Sequence, residues 1–324
     1  MELLTWIRSL RPRPTTSDEA LYQFMESQSA YSLVEIYQPF DATKRGHWND
    51  EGAIIDFLVN VGEGDLLDFG PGDGWPSLRV APHVKSVTGL DASPKRIEVC
   101  EANARRLGIT NFRGVRYVAG QPMPFPDQSF DGAMAASSIE QSPDPQGILR
   151  ELYRVLRPGG RLRIQYERPA WYINSPRQEL ELWSLADGAT FLYLMERDLA
   201  AERVGYYTVI LNAPLAAVKA LVDVTGLAVP EPERLQSLVR DAMTYTLSLP
   251  SCNTWMRWLR EVGFTTVVTT HCGGDFAERV FAALSGAERL QDEPAVFALL
   301  RPGIAAATGL EAPLHLDSLI TATK

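Results

Sequence analysis

From Asp65 onward the chain alternates short apolar runs with amphipathic stretches, a rhythm that predicts βα units stacked into a parallel sheet. "DLLDF" at 65–69 is apolar and closed by glycine, as a buried strand is, and "SVTGLD" at 86–91 repeats the pattern. Between the second and third strands, "SPKRIEVCEANARRLG" reads as a helix. Ser93 caps it, Pro94 suits its first position, Gly108 ends it, and Ile97, Cys100, Ala104 and Leu107 share one face. "VRYVA" at 115–119 and "FDGAMAAS" at 130–137 predict strands three and four. Asp144 then caps a helix with an apolar stripe of Ile148, Leu149, Leu152, Val155 and Leu156, and "RPGG" turns the chain into a fifth strand, "RLRIQYE".

The rhythm breaks after Arg168. Residues 169–250, with "RQELELWSLADGATFLYLMERDLAAERV" and "PLAAVKALVDVTG", read as a helical cap rich in Trp, Tyr and Met. The α/β signal resumes in "TWMRWLREVGFTTVVTTH", a helix ended by Gly263 and followed by a β-branched strand, and "DSLITATK" predicts a closing strand. A second insertion occupies 272–316. Residues 1–60, with two or so helices between 17 and 60, are expected to cover the active site, so that 61–168 and 251–324 form the core and 169–250 the substrate cap.

Composition narrows the function classes. The 324 residues are 45% hydrophobic, enough to bury a substantial core, and the net charge of -9 disfavours a nucleic-acid partner. Three cysteines far apart form neither a disulfide framework nor a CxxC pair, and no His/Cys cluster points to a metal. With no signal-peptide pattern and no apolar run near the roughly 20 residues of a membrane span, the expectation is a cytoplasmic protein without a membrane span.

The candidate chemistry lies in "LLDFGPGDGWPS" at 66–77. A strand ending at a glycine-rich turn that leads into a helix presents bare N–H groups at the carboxyl edge of a sheet. Gly70, Gly72 and Gly74 run G-x-G-x-G, and Trp75 stands where the last glycine of a dinucleotide fingerprint would fall. A phosphate loop fails for want of Gly-Lys-Ser/Thr. Asp68 would repel a pyrophosphate and suit an ammonium or sulfonium, while Asp91 at the next strand end suits ribose hydroxyls. An adenosine joined to a cationic amino acid satisfies both. Pro76 suits the first turn of the next helix, and Trp75 is expected to pack beneath the N-terminal helices.

"LLDFGPGDG", "VTGLDAS" and "PMPFPDQSFDGAMAASSIEQSPDPQGILRELYRVLRPGGRLRI" together resemble the class I S-adenosylmethionine-dependent methyltransferases, in particular the small-molecule branch that includes quinone-biosynthesis enzymes. The likeness covers 65–167, with 254–271 fitting the sixth strand. It implies a Rossmann-like, doubly wound, mostly parallel seven-stranded sheet whose last strand is antiparallel, with helical cap insertions. It also implies S-adenosylmethionine as cofactor and S-adenosylhomocysteine as product. Asp68, Gly70, Pro71, Gly72 and Gly74 would lie against its methionine and ribose parts, Asp91 on the ribose and Ala92 beside the adenine. Many relatives place an acid for the adenine amino group after the third strand. Here that position is Ala119, followed by Gly120 and Gln121, with Gln121 as its replacement. Ser137 ends the fourth strand on the cofactor side. Gln141 stands where relatives often carry a histidine.

Methyl transfer needs alignment of the acceptor and exclusion of water more than side-chain chemistry. Glu140, Tyr166, Glu167 and His271 are the candidates to take a proton from a hydroxyl or amine acceptor. The aromatic-rich cap suggests a small apolar or aromatic acceptor, or alternatively a homodimer interface. A catalytically silent cofactor-binding protein, motivated by Ala119 and Gln141, and an NAD-dependent oxidoreductase are the rival readings.

Overall fold

The computed structural model describes residues 1–17, 19–20, 39–118, 120–286, 289–313 and 319–324. The chain divides into two compact units. One comprises the described parts of Met1–Leu33, Glu140–Pro143 and Arg168–Pro250; the other comprises those of Val34–Ile139, Asp144–Glu167 and Ser251–Lys324.

The second unit is the doubly wound α/β core. Its strands are β2 (Asp65–Phe69), β3 (Ser86–Asp91), β4 (Phe112–Arg116), β5 (Phe130–Ala136), β6 (Leu156–Gln165), β11 (Thr266–Thr270) and β12 (Leu319–Thr323), in the order β11-β12-β6-β5-β2-β3-β4. The β2/β3, β3/β4, β2/β5 and β5/β6 pairs are parallel, and β12 runs antiparallel to both neighbours. Seven strands with an antiparallel last strand match the expectation. The third strand begins earlier than "VRYVA", pairing Val87 with Phe112 and Asp91 with Arg116.

Helices cover both faces because successive strand residues point opposite ways. Leu67, Phe69, Ala133 and Ala135 pack with α5 (Pro145–Val155) and α8 (Cys252–Val262), whose Leu149, Leu152, Trp255 and Leu259 are fully buried. Leu66, Val87 and Met134 pack on the opposite side with Ile54, Phe57, Leu58 and Val61 of α2 (Arg45–Val61) and Val80 of α3 (Ser77–Val80). Caps form where they were read. Asp144 accepts from Gly147 N–H at 2.8 Å, Ser93 accepts from Arg96 N–H at 3.1 Å to start α4 (Pro94–Arg106), and Gly263 ends α8 in the left-handed region at φ +118°. Leu107, assigned to the buried face of α4, is 40% exposed. The 272–316 insertion contains α9 (Gly273–Ala283) and α10 (Glu293–Thr308).

The far edge of this sheet is pinned by an ion pair inside the core. Arg163 on β6 donates from Nε and Nη2 to the two oxygens of Asp56 on α2 at 2.6 and 2.8 Å. Its Nη1 donates to Thr270 and Thr321 hydroxyls, and Asp56 Oδ2 also accepts the Gly273 N–H at 2.7 Å. The five hydrogen bonds from the guanidinium, the fifth from Nη2 to His271 O at 3.3 Å, and the bidentate geometry offset the cost of burying both charges.

The first unit corrects the helical reading of 169–250. It is a five-stranded sheet of β1 (Arg13–Pro14), β7 (Gln178–Ser184), β8 (Thr190–Asp198), β9 (Arg203–Leu211) and β10 (Val239–Ser248) in the order β1-β10-β9-β8-β7. All pairs are antiparallel except β1/β10. Its described helices include α1 (Leu3–Ser9), α6 (Leu215–Lys219) and α7 (Pro232–Gln236), with a short 3-10 turn at Pro169–Tyr172. "TFLYLMERD" is apolar on both faces of a strand, so its period of two is masked and a short apolar run reads equally as helix. Leu192, Leu194, Val209 and Leu211 face Leu3, Trp6, Ile7, Val218 and Leu235. The other face carries Phe191, Tyr193, Met243 and Tyr245, all buried.

Candidate active site

The glycine turn begins where β2 ends. Gly70 takes φ +75° and donates its N–H to Leu90 O at 2.8 Å, and a Cβ there would lie 2.5 Å from Ser138 Cβ. Gly72, at φ +57°, would place a Cβ 2.8 Å from an Arg96 Nη. Both positions therefore demand glycine for conformation, and Gly70 for room as well. Pro71, Gly72 and Gly74 are buried. After the cis Trp75–Pro76 bond, Pro76 stands at the N-cap of α3, one residue ahead of the first-turn position expected for it. Trp75 packs edge-on against Phe57 of α2, 6.2 Å between centroids, so it does lie beneath an N-terminal helix.

Asp68 is the one carboxylate in this region with no exposure at all. Its Oδ2 accepts from the Ser77 hydroxyl at 2.7 Å, and its Oδ1 has no partner among the described residues. Burial pushes its carboxyl up to about 7, against the hydrogen bond from Ser77 and with the charge of Asp91 adding to the rise. A half-satisfied buried carboxylate is stabilised by any cation placed against the open oxygen. Asp91, 8% exposed, accepts from Gly72 N–H at 3.3 Å through Oδ2 and from Ser93 N–H at 2.9 Å through Oδ1. Ser93, not Asp91, supplies the side-chain cap of α4.

Beyond Asp91, Ala92 is half-buried and Tyr117 N–H donates to Asp91 O at 2.7 Å, which draws the chain after β4 toward the turn. Ala119 lies outside the described residues. Gly120 at φ +77° donates to the Tyr117 hydroxyl at 3.3 Å, and Gln121 is exposed. Ser137 holds a left-handed φ of 48° just after β5 and donates its N–H to Gln165 O at 2.7 Å, while the Ser138 hydroxyl donates to Phe69 O. Sequence reasoning missed Ser77, Tyr117, Arg96 and Ser138. Only Ser77 had a usable signal, as a hydroxyl nine residues past an acid at a helix start.

The four expected proton acceptors stand on three separate segments of the chain. Tyr166, 3% exposed, packs against Trp255 at 5.9 Å, and Glu167 is half-buried beyond the end of β6. His271 follows β11, four strand positions from β2, or about 19 Å at ordinary sheet spacing. Glu140 is 2% exposed on the short turn Ile139–Gln141 and falls in the first unit. Among the described residues no group of three His, Cys, Asp or Glu could hold a metal ion, and no helix is long and apolar enough to cross a membrane.

Residues 67–164 match the family described as "Methyltransferase domain". That match runs from the strand before the glycine turn to the fifth core strand. Residues 67–164 belong to the class I S-adenosylmethionine-dependent methyltransferases. The chain is 33% identical over 132 residues to 27-O-demethylrifamycin SV methyltransferase of Amycolatopsis mediterranei, covering 37% of this chain and 48% of that protein. It is 32% identical over 151 residues to demethylmenaquinone methyltransferase of Tropheryma whipplei, covering 46% of this chain and 60% of that protein. The chain thus spans about half the length of the curated relatives it matches. A solved methyltransferase structure from Clostridium acetobutylicum aligns over 86% of this chain and 91% of that chain, with 12% identity and a TM-score of 0.48.

The cofactor of this class is S-adenosylmethionine, and the methyltransferase domain has a donor set that fits it. The open Oδ1 of Asp68 suits a cationic amino-acid end; the Gly70 and Gly72 N–H groups are spent on Leu90 O and Asp91, so the turn does not offer them to a ligand as the sequence led one to expect.

Proposed function

We propose that the chain transfers a methyl group from S-adenosylmethionine to a small acceptor of apolar or aromatic character. The observation that carries the reading is Asp68, buried at the foot of a positive-φ glycine turn with one carboxylate oxygen open. Asp68 would hold the cationic amino-acid end, Asp91 the ribose hydroxyls, and Ala92, Gly120 and Gln121 the adenine side. When bound, the cofactor supplies an already activated methyl group. What remains for the chain is to align the acceptor, keep water out and, for a hydroxyl or amine, remove a proton. Glu140, Tyr166 and Glu167 stay the candidates for that proton, while His271 follows a strand four positions from β2.

The acceptor class is supported by the aromatic face of the first unit. Trp183, Phe191, Tyr193, Tyr206 and Tyr245 form a ladder with centroids 4.8 to 6.0 Å apart, and the hydroxyls of Tyr193 and Tyr245 meet at 3.3 Å. Such a face suits flat or apolar molecules. From the rifamycin and menaquinone relatives only a small-molecule acceptor is carried over.

Calorimetry with S-adenosylmethionine and S-adenosylhomocysteine, paired with a methyl-release assay over phenols, quinols and aliphatic alcohols, tests the reading. Micromolar cofactor binding and turnover on a ring-bearing acceptor are expected. Absence of cofactor binding refutes it, and binding without turnover on any acceptor would return the silent-binder alternative, which the named methyltransferase relatives do not favour.

A further inference from the structure

A cavity lies in the core unit. It has a volume of about 540 Å³ and opens between α2, α3, the short turn Ala81–His83 and the start of α10. Neither Asp68 nor Asp91 lines it. Its size falls within the roughly 300–1,000 Å³ of small-molecule sites.

The walls are apolar, with Ile54, Leu78, Ile109 and Phe297 among them. His83 and Phe297 stack with centroids 4.6 Å apart and planes within 6°, and both rings line the cavity. Burial, followed by the charges of Arg301 and Arg79, lowers the His83 pKa, which disfavours the charged form of its ring. The polar groups are unbalanced. Arg79 pairs with both Glu51 and Glu293, so two carboxylates share one guanidinium and the cluster carries a negative charge in excess whenever Glu51 is ionised. Glu51 is the deeper acid, 2% exposed, whereas the Glu293 side chain is 41% exposed. Burial pushes the Glu51 carboxyl up to about 7 despite Arg79, with Glu293 adding to the rise. The pairing with Arg79 thus leaves the Glu51 charge only partly compensated.

We propose that this cavity is a binding site for a small lipophilic organic monocation bearing a flat ring system. The cation completes the charge balance at Glu51, the ring lies along the His83–Phe297 stack, and the apolar walls exclude water from the pair. An anion meets the Glu51 and Glu293 carboxylates, and a neutral ring of the same shape gains the packing without the charge pairing. The site is independent of the methyl-transfer reading.

The experiment uses the full chain saturated with S-adenosylhomocysteine and three compounds of one shape: (1-naphthylmethyl)ammonium, 1-naphthylmethanol and 1-naphthoate, titrated by calorimetry. The ammonium is expected to bind at least about tenfold more tightly than the alcohol, with no detectable heat from the naphthoate. Leu107→Trp, at a partly exposed wall of the cavity, is expected to weaken ammonium binding at least about tenfold while S-adenosylhomocysteine affinity stays unchanged. Glu51→Gln is expected to erase the preference for the ammonium over the alcohol. Equal affinity of the ammonium and the alcohol in the unmodified chain overturns the proposal without recourse to any variant. Full ammonium binding by a Leu107→Trp chain that still binds S-adenosylhomocysteine places the cation elsewhere and overturns it as well.

Discussion

Two regions of the core unit bury an aspartate almost completely and use it in opposite ways. At the far edge of the sheet, Asp56 meets a guanidinium with both oxygens and takes a helix N–H besides. At the glycine turn, Asp68 meets one hydroxyl and leaves an oxygen open. The first arrangement is closed and holds α2 and α9 against the strands. The second is incomplete within the chain, and an incomplete buried charge is a place where a ligand contributes more than it would at the surface.

The comparison is broken most directly at its closed end. Asp56→Ala leaves Arg163 charged and buried, and is expected to lower unfolding free energy by about 3–5 kcal/mol in urea titrations. The double change Asp56→Leu with Arg163→Met is expected to recover most of that loss, because it removes both charges. Asp68→Asn behaves differently. It is expected to weaken S-adenosylhomocysteine binding by about 1.5–3 kcal/mol, roughly ten- to hundredfold, with little loss of stability. If Asp68→Asn destabilised the fold as much as Asp56→Ala, the distinction between the two regions would fail.

A pH series sharpens the same point. The Asp68 carboxyl titrates near 7 in the folded chain against 3.8 for an ordinary aspartate, so the folded state holds the extra proton between those values. Its contribution to stability therefore falls as pH rises from about 4 to about 7 and is level above that. Urea midpoints at pH 5 and pH 8 are expected to show a smaller decline for Asp68→Asn than for the unmodified chain. Asp91→Ala is expected to cost about 1–3 kcal/mol of cofactor affinity by calorimetry. The smallest effect is expected at His271, where His271→Gln should change kcat by less than about threefold, since its strand lies four positions from β2.

What could be read in advance follows from the range of the forces involved. The caps at Ser93, Asp144 and Gly263 and the stripe on α5 are local, and each was visible within a few residues. Asp68 and Asp91 were visible because strand ends bring them to one edge. Arg163 and Asp56 are 107 residues apart, so their pairing leaves no local trace. The sheet of the first unit was misread for another reason. Phe191, Tyr193 and Met195 alternate with Leu192 and Leu194, and two apolar faces erase the alternation that distinguishes strand from helix. Catalytic placement was least legible, because a strand-end position says nothing of how far along the sheet that strand lies.

The position of β12 also sets an order of events. It is the last strand in the chain and fills the gap between β11 and β6, pairing Ile320 with Thr269 on one side and Ile164 on the other. During synthesis β6 has its outer edge uncovered until residue 319 emerges, more than 150 residues after β6 itself. A chain interrupted before Leu319 carries two unpaired strand edges across a gap one strand wide, the kind of surface through which nascent sheets aggregate.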